Sequence, residues 1–329
     1  MTTAARSPFD IYFDALVSCD PAAATDLVMD LLDAGASLSE IVQEILAPAQ
    51  TRVGELWERG EWSVAHEHTA TAVTEAAVSA LWVMTARRQL VDGPRVAVAC
   101  AEGEWHSLPS RMAAALAAEA GADVTVLGPS MPADDLQRRL GTGDIDVLAL
   151  SCTVPAHLLG AARCIAAAHA VGLPVVVGGR AFAGSRQRVA AIGADRLAGA
   201  PQVLSDPPPA AGDDVVVAEE ALRLDTAPGR TVDDLVGRVV RSSPELAGLA
   251  ADRLRRDVHW IVRFTGAAVL TDDPAVLDDH LGSMLRMPHA GVPDEVVLDG
   301  AEVVADGIEP LAPVGATMLR DAVHRARGR

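Results

Sequence analysis

Glu104, Trp105 and His106 set a carboxylate, an indole and an imidazole within three residues of one another, in the stretch Glu102-Gly103-Glu104-Trp105-His106-Ser107-Leu108-Pro109. The i, i+2 spacing lets Glu104 hold one ring nitrogen of His106 while the other faces a metal, the arrangement that fixes the tautomer of a ligating histidine. The plainer alternative is a polar loop. The flanking elements decide between them: residues 96–101 read as a buried strand that empties into this loop, and an Ala-rich helix follows. A chain leaving the carboxyl end of a parallel strand presents its side chains where open α/β sheets bind ligands.

The pattern recurs. Residues 145–150 form a second apolar run ending in Ser151-Cys152-Thr153, and residues 173–177 a third ending in Gly178-Gly179. A further strand is expected over 122–127, a helix over 132–140 and a last short edge after 193–195, a βαβ rhythm that implies a parallel sheet with right-handed crossovers. His157 and His169 fall on or near helices and read as ordinary. Taken together, Glu-x-His, Ser-x-Thr and Gly-Gly at successive strand ends resemble the cobalamin-binding domain of the base-off, His-on type. The resemblance implies a Rossmann-like (flavodoxin-like) domain over 91–204. It makes His106 the lower axial ligand of cobalt and Glu104 its hydrogen-bond partner, with Trp105 beside them. Ser151 and Thr153 become contacts of the displaced nucleotide tail, and Gly178 and Gly179 positions where only backbone fits. One departure is Pro109, where the family usually has Gly; a Pro is compatible with the first turn of a helix.

Composition excludes several other chemistries. The net charge of −18 argues against nucleic-acid binding. No lysine occurs anywhere, so Schiff-base catalysis and a Walker-type phosphate loop are both ruled out. The four cysteines have neither metal nor disulfide spacing. With no run of 18 apolar residues, the expectation is a cytoplasmic protein that does not touch membranes.

Residues 1–90 read as a four-helix bundle. Asp20-Pro21 is an N-cap followed by Pro at the first helical position, Ser37 to Glu40 spells a capping box, Pro48 predicts a kink, and Ser63 caps a long helix from Val64 to Arg88. This bundle carries Trp57, nine residues, then Glu67-His68. The pattern resembles the helical cap of light-responsive cobalamin photoreceptors, which implies that Trp57 lies over the upper corrin face, with Glu67 and His68 near it. The plainer reading makes Trp57, Trp62 and Trp82 simply core. In the light-responsive repressors of that family a His directly follows the Trp; here Glu58 stands there, so an upper imidazole would have to come from His66 or His68.

After a Pro-rich stretch over 205–230 that reads as a linker, residues 231–329 are expected to be all-helical. One of these helices carries Arg256, His259, Trp260 and Arg263 at i, i+3, i+4 and i+7, a single face suited to an aromatic ligand bearing carboxylates. A capped cobalamin domain followed by an all-helical unit, with no DNA-binding helix-turn-helix expected ahead of it, resembles the photocobilins. That resemblance implies a globin-like C-terminal domain and biliverdin as second chromophore. No Cys follows residue 164, so biliverdin would be held without a thioether, through those four residues, with His280, Arg286 and His289 as further candidates. The expected function is a light sensor binding adenosylcobalamin, not an enzyme, acting through a homo-oligomer or a downstream signalling protein. The competing expectations are a corrinoid methyl carrier and a light-independent cobalamin-responsive regulator.

Overall fold

The computed structural model describes residues 6–86, 93–199, 208–210, 217–227, 229–248, 251–287 and 292–328. The N-terminal bundle is made of α1 (Pro8–Val17), α2 (Pro21–Asp33), α3 (Leu38–Ile41) running on into α4 (Ala47–Glu58), and α5 (Val64–Ala86). Its helix starts follow the local chemistry. Asp20 accepts from the Ala23 N–H at 3.0 Å, and Ser37 and Glu40 form the reciprocal capping box. Between α3 and α4, residues Val42–Leu46 are a π-helical turn, and the Ala47 N–H reaches back to the Val42 carbonyl. The expected disturbance at Pro48 therefore takes the form of a π-bulge just before it, which hands over to α4 with Pro48 in that helix's first turn.

The sheet consists of β1 (Arg95–Cys100), β2 (Asp123–Gly128), β3 (Val147–Ser151), β4 (Val175–Gly178) and β5 (Arg196–Leu197), in the order β2-β1-β3-β4-β5 and parallel throughout. Helices α6 (Leu108–Glu119), α7 (Ala133–Leu140), α8 (Leu158–His169) and α9 (Arg186–Ala191) alternate with the strands. β1 and β3 are adjacent and in register from Val96↔Val147 to Cys100↔Ser151, so the loops after them open side by side. The bundle sits on α6, whose Leu108, Met112 and Ala115 belong to the bundle's own core. His169 is structural: its Nε2 lies 2.9 Å from Asp195, which also accepts the Val175 N–H.

The C-terminal unit comprises α10 (Glu219–Asp225), α11 (Gly229–Ser242), α12 (Ala251–Thr271), α13 (Ala275–Arg286), α14 (Asp294–Ile308) and α15 (Pro313–Arg327). Two expectations are corrected here. Part of the expected linker is helix, because Ala221 and Leu224, at i and i+3, are buried against α12. The boundary near 230 is also not a break in packing: one buried cluster runs from the sheet and α8 into α10–α15. Arg188, almost wholly buried, pairs with Asp273 at 2.7 Å and donates to the Ala181 carbonyl, which fixes α12 and α13 to the sheet domain. Among the described residues no helix is long and apolar enough to cross a membrane.

Candidate cobalamin site

Glu104 is fully buried and accepts four hydrogen bonds. Its Oε1 takes the His106 backbone N–H (2.9 Å) and His106 Nδ1–H (2.6 Å); its Oε2 takes the backbone N–H groups of Thr153 (2.7 Å) and Val154 (2.9 Å). A single carboxylate thus ties the loop after β1 to the loop after β3. Burial by itself would raise this carboxyl, but the bonds from His106 and Val154 outweigh it and bring the pKa down to about 2. The same contact with Glu104 holds the His106 imidazole above its ordinary value against the effect of burial, with the Glu67 charge adding in the same direction. The charge of Glu67 in the bundle therefore reaches the loop after β1.

An ionised Glu104 only accepts, so Nδ1 of His106 carries a hydrogen, and in the neutral imidazole Nε2 keeps its lone pair. The His106 side chain is 61% exposed and its neighbour Trp105 is 72% exposed. Pro109 lies in the first turn of α6. Ser151 is buried at the end of β3, and Thr153 Oγ1 is buried with no hydrogen-bond partner among the described residues. Gly179 has φ +108°, and a Cβ there would stand 2.2 Å from the Cys152 carbonyl oxygen.

The tryptophans separate by exposure. Trp62 stacks on Phe13 at 6.0 Å and Trp82 packs where the bundle meets the sheet, so the structural reading holds for both. Trp57, at the end of α4, remains 36% exposed. Of the two candidate imidazoles, His66 accepts the Ser63 N–H at Nδ1 (3.2 Å), which places its own hydrogen on Nε2. His68 instead meets Glu67 through Nδ1, and Thr71 donates to the other Glu67 oxygen at 3.0 Å. His68 thereby leaves Nε2 free on a side chain 75% exposed, repeating the arrangement of Glu104 and His106. Glu58, in the place of the family's His, accepts from Ser283 Oγ (3.1 Å) and Arg286 Nε (3.2 Å) of α13.

The residues of the expected bilin face on α12 fall into two different surroundings. Arg263 pairs with Asp225 at 2.8 Å and donates to the Ala156 carbonyl at 3.1 Å. Trp260 meets His157 edge-on at 5.7 Å. These two residues face the sheet domain, while Arg256 and His259 are exposed. His280 is stacked on Phe264 at 3.8 Å, with Nε2 buried and without a hydrogen-bond partner among the described residues, and burial lowers its pKa to about 3. His289 lies outside the described residues. His157, expected to be ordinary, borders the site: its Nδ1 is buried without a hydrogen-bond partner among the described residues, and its ring meets Trp260 edge-on. Sequence reading missed Glu102, Arg163, Asp225 and His157. Only the acidic and basic residue types were visible, and the partners are far apart in the chain.

A parallel sheet ordered 2-1-3-4-5, capped by a helical bundle, with a carboxylate-held histidine at the end of β1 and a glycine cradle after β4, defines a corrinoid-binding module. The donor set fits such a group. His106 would offer Nε2 to the metal of such a group, Thr153 would offer a hydroxyl that has no partner among the described residues, and Gly178 leaves open space where a Cβ would meet only the Ala198 methyl. Comparison with known proteins agrees: residues 9–81 and 94–201 each match a family described as a B12 binding domain, and the chain is a cobalamin-binding protein. It is 30% identical over 137 residues to the HTH-type transcriptional repressor CarH of Myxococcus xanthus, a match covering 41% of this chain and 45% of that protein. The match thus spans less than half the length of that relative. The monomethylamine corrinoid protein of Methanosarcina barkeri shares the fold, with a TM-score of 0.52 at 20% identity over 60% of this chain and 95% of that one.

Proposed function

We propose that this protein is a light sensor that binds adenosylcobalamin base-off, with His106 as lower axial ligand, and signals through the contact between the helical cap and the sheet domain. The observation that carries this reading is Trp57. It stands exposed at the end of α4, at the spacing before Glu67-His68 that marks photoreceptor caps, while Trp62 and Trp82 are consumed by packing. When bound, adenosylcobalamin supplies a cobalt–carbon bond that visible light breaks. Glu104 holds His106 with Nε2 presented, Ser151 and Thr153 would contact the nucleotide tail, and Trp57 would cover the other side of the group and exclude water. Glu67 orients His68, the imidazole best placed by tautomer to replace the one that Glu58 removes. The α5–α6 packing is the two-state element that such a change biases. The likeness to a transcriptional repressor supports a regulatory role, with output through oligomer state or a signalling partner.

In the same reading α10–α15 is a globin-like domain and biliverdin the second chromophore, bound without a thioether. A bilin would then lie outside the core of that domain, against the side of α12 that carries Arg256 and His259. The apolar cavity lined by Leu254, Val258, Ile261 and Met284 is about 20 Å³, room for about one water. A second reading, a corrinoid methyl carrier, is favoured by the shared fold with the monomethylamine corrinoid protein.

The test is to load the apoprotein with adenosylcobalamin and biliverdin, desalt it, and record absorption and elution volume in the dark and after illumination. The sensor reading expects a corrin spectrum that changes with light together with a shifted elution volume, and a red band if bilin is held. Trp57→Ala is expected to weaken adenosylcobalamin about tenfold, the loss of roughly 1.4 kcal/mol of apolar contact. An unchanged elution volume after light, with Trp57→Ala binding as tightly as the parent, would turn the assignment to the methyl carrier.

A further inference from the structure

We infer that the C-terminal helical unit is a brace for the axial-ligand loop, so that Arg163, Asp225 and Arg263 are positioning residues for His106. The inference rests on the reading of His106 as axial ligand and adds to it a residue set contributed by another part of the chain. Glu102, two residues before Glu104, accepts from Arg163 Nε at 3.2 Å. Arg163 Nη1 donates to Asp225 Oδ2 at 3.0 Å, and the other Asp225 oxygen pairs with Arg263 Nη1 at 2.8 Å. Asp225 is 9% exposed at its side chain, so the chain of alternating charges runs through partly dehydrated surroundings, where such networks exceed exposed pairs in strength.

The network closes on the second loop. Arg263 Nη2 donates to the carbonyl of Ala156, two residues beyond Val154, whose N–H with that of Thr153 is held by Glu104. Both loops that Glu104 joins are thus also held by one guanidinium of α12, one directly and one through Asp225 and Arg163. Trp260, one turn before Arg263, adds its edge to His157 at 5.7 Å. The fit leaves no slack on the inner side: a Cβ on Gly160 would lie 2.1 Å from the Glu102 carbonyl oxygen.

Because the docked unit holds the loops in the geometry that presents His106 Nε2, docking and axial ligation stabilise each other; the coupling is reciprocal by linkage. Arg263, which by its helical spacing suited a bilin carboxylate, is already used for this.

The test uses the full chain and its Asp225→Asn and Arg263→Ala variants, with amide hydrogen exchange of the apoprotein and titration with adenosylcobalamin as readouts. Exchange over 101–106 and 153–157 is expected to rise about tenfold in each variant while the bundle stays protected, and adenosylcobalamin affinity to fall by about tenfold. Arg263→Lys, which keeps the charge but loses the forked donor, is expected to fall between. Should Asp225→Asn fail to fold, Glu102→Gln, at a side chain 34% exposed, makes the same comparison at the near end of the network. Unchanged exchange in both segments with unchanged affinity overturns the brace. His106→Ala separates the two readings. If it removes the His-on spectrum while the brace variants change nothing, only the brace is wrong. If it leaves the spectrum intact, the axial assignment is wrong, and the exchange data alone decide the brace.

Discussion

Glu104→Gln is expected to lower the stability of the apoprotein by about 3 kcal/mol and to abolish the His-on spectrum of bound cobalamin. The carboxylate accepts from four donors, two at each oxygen. An amide has one oxygen, so whichever way Gln turns, its NH₂ faces two buried N–H groups, and unsatisfied buried donors cost roughly 1–3 kcal/mol each. If the NH₂ faces His106, Nδ1 must give up its hydrogen, the tautomer reverses, and Nε2 no longer offers a lone pair. The pH dependence gives an independent check. The folded pKa of Glu104 is depressed from 4.5 to about 2, so its contribution is present above the ordinary carboxylate range and is lost as pH falls towards 2. For this fully buried group the shift corresponds to roughly 3 kcal/mol. Chemical denaturation between pH 6 and 2 should show that loss in the parent and a shallower one in Glu104→Gln. His106 has the opposite sign. Its raised pKa gives stability that is complete below the ordinary histidine value and lost as pH rises through the folded one. An equal acid dependence in the two proteins would mean that Glu104 is not the group that ties the loops.

Gly179→Ala is expected to cost about 3 kcal/mol or more, whereas Gly178→Ala is expected to stay within about 1 kcal/mol in the apoprotein. At Gly179 the backbone sits at φ +108°, ψ 166°, a region essentially confined to glycine and worth roughly 1–3 kcal/mol of strain for any other residue. A Cβ there would also press to 2.2 Å from the Cys152 carbonyl. That peptide cannot yield: the Cys152 N–H is held by the Gly178 carbonyl and the Cys152 carbonyl by the Ala181 N–H. At Gly178 a Cβ would meet only the Ala198 methyl at 3.5 Å, an ordinary contact. Thermal unfolding of the two variants makes the comparison. A Gly178→Ala protein as stable as the parent but weakened for adenosylcobalamin would show that this glycine serves the ligand rather than the fold. Equal destabilisation by the two substitutions would remove the distinction between cradle and strain.

The motif at 104–106, the strand ends at Ser151 and Gly178-Gly179, the caps at Asp20 and Ser37 and the five strands were all legible in the order of residues. Each rests on neighbours a few positions apart: a side-chain oxygen and an N–H three residues on, a run of apolar residues bounded by glycine, a carboxylate two residues from an imidazole. The sequence by itself therefore determined a parallel sheet under a helical bundle, with a histidine and its carboxylate at a strand end. It could not say which of Trp57, Trp62 and Trp82 is left exposed, that Ala221 and Leu224 make a helix of a stretch composed like a linker, or that Arg263 is already paired. Those outcomes depend on partners that meet only in the folded chain, such as Arg163 with Asp225, 62 positions apart, and Glu58 with Ser283, 225 apart. Helical spacing places Arg256, His259, Trp260 and Arg263 on one face of α12. Only the tertiary structure decided that Arg263 and Trp260 are closed off against the sheet domain, because burial and charge neutralisation are properties of the surface that packs on a helix and not of the helix.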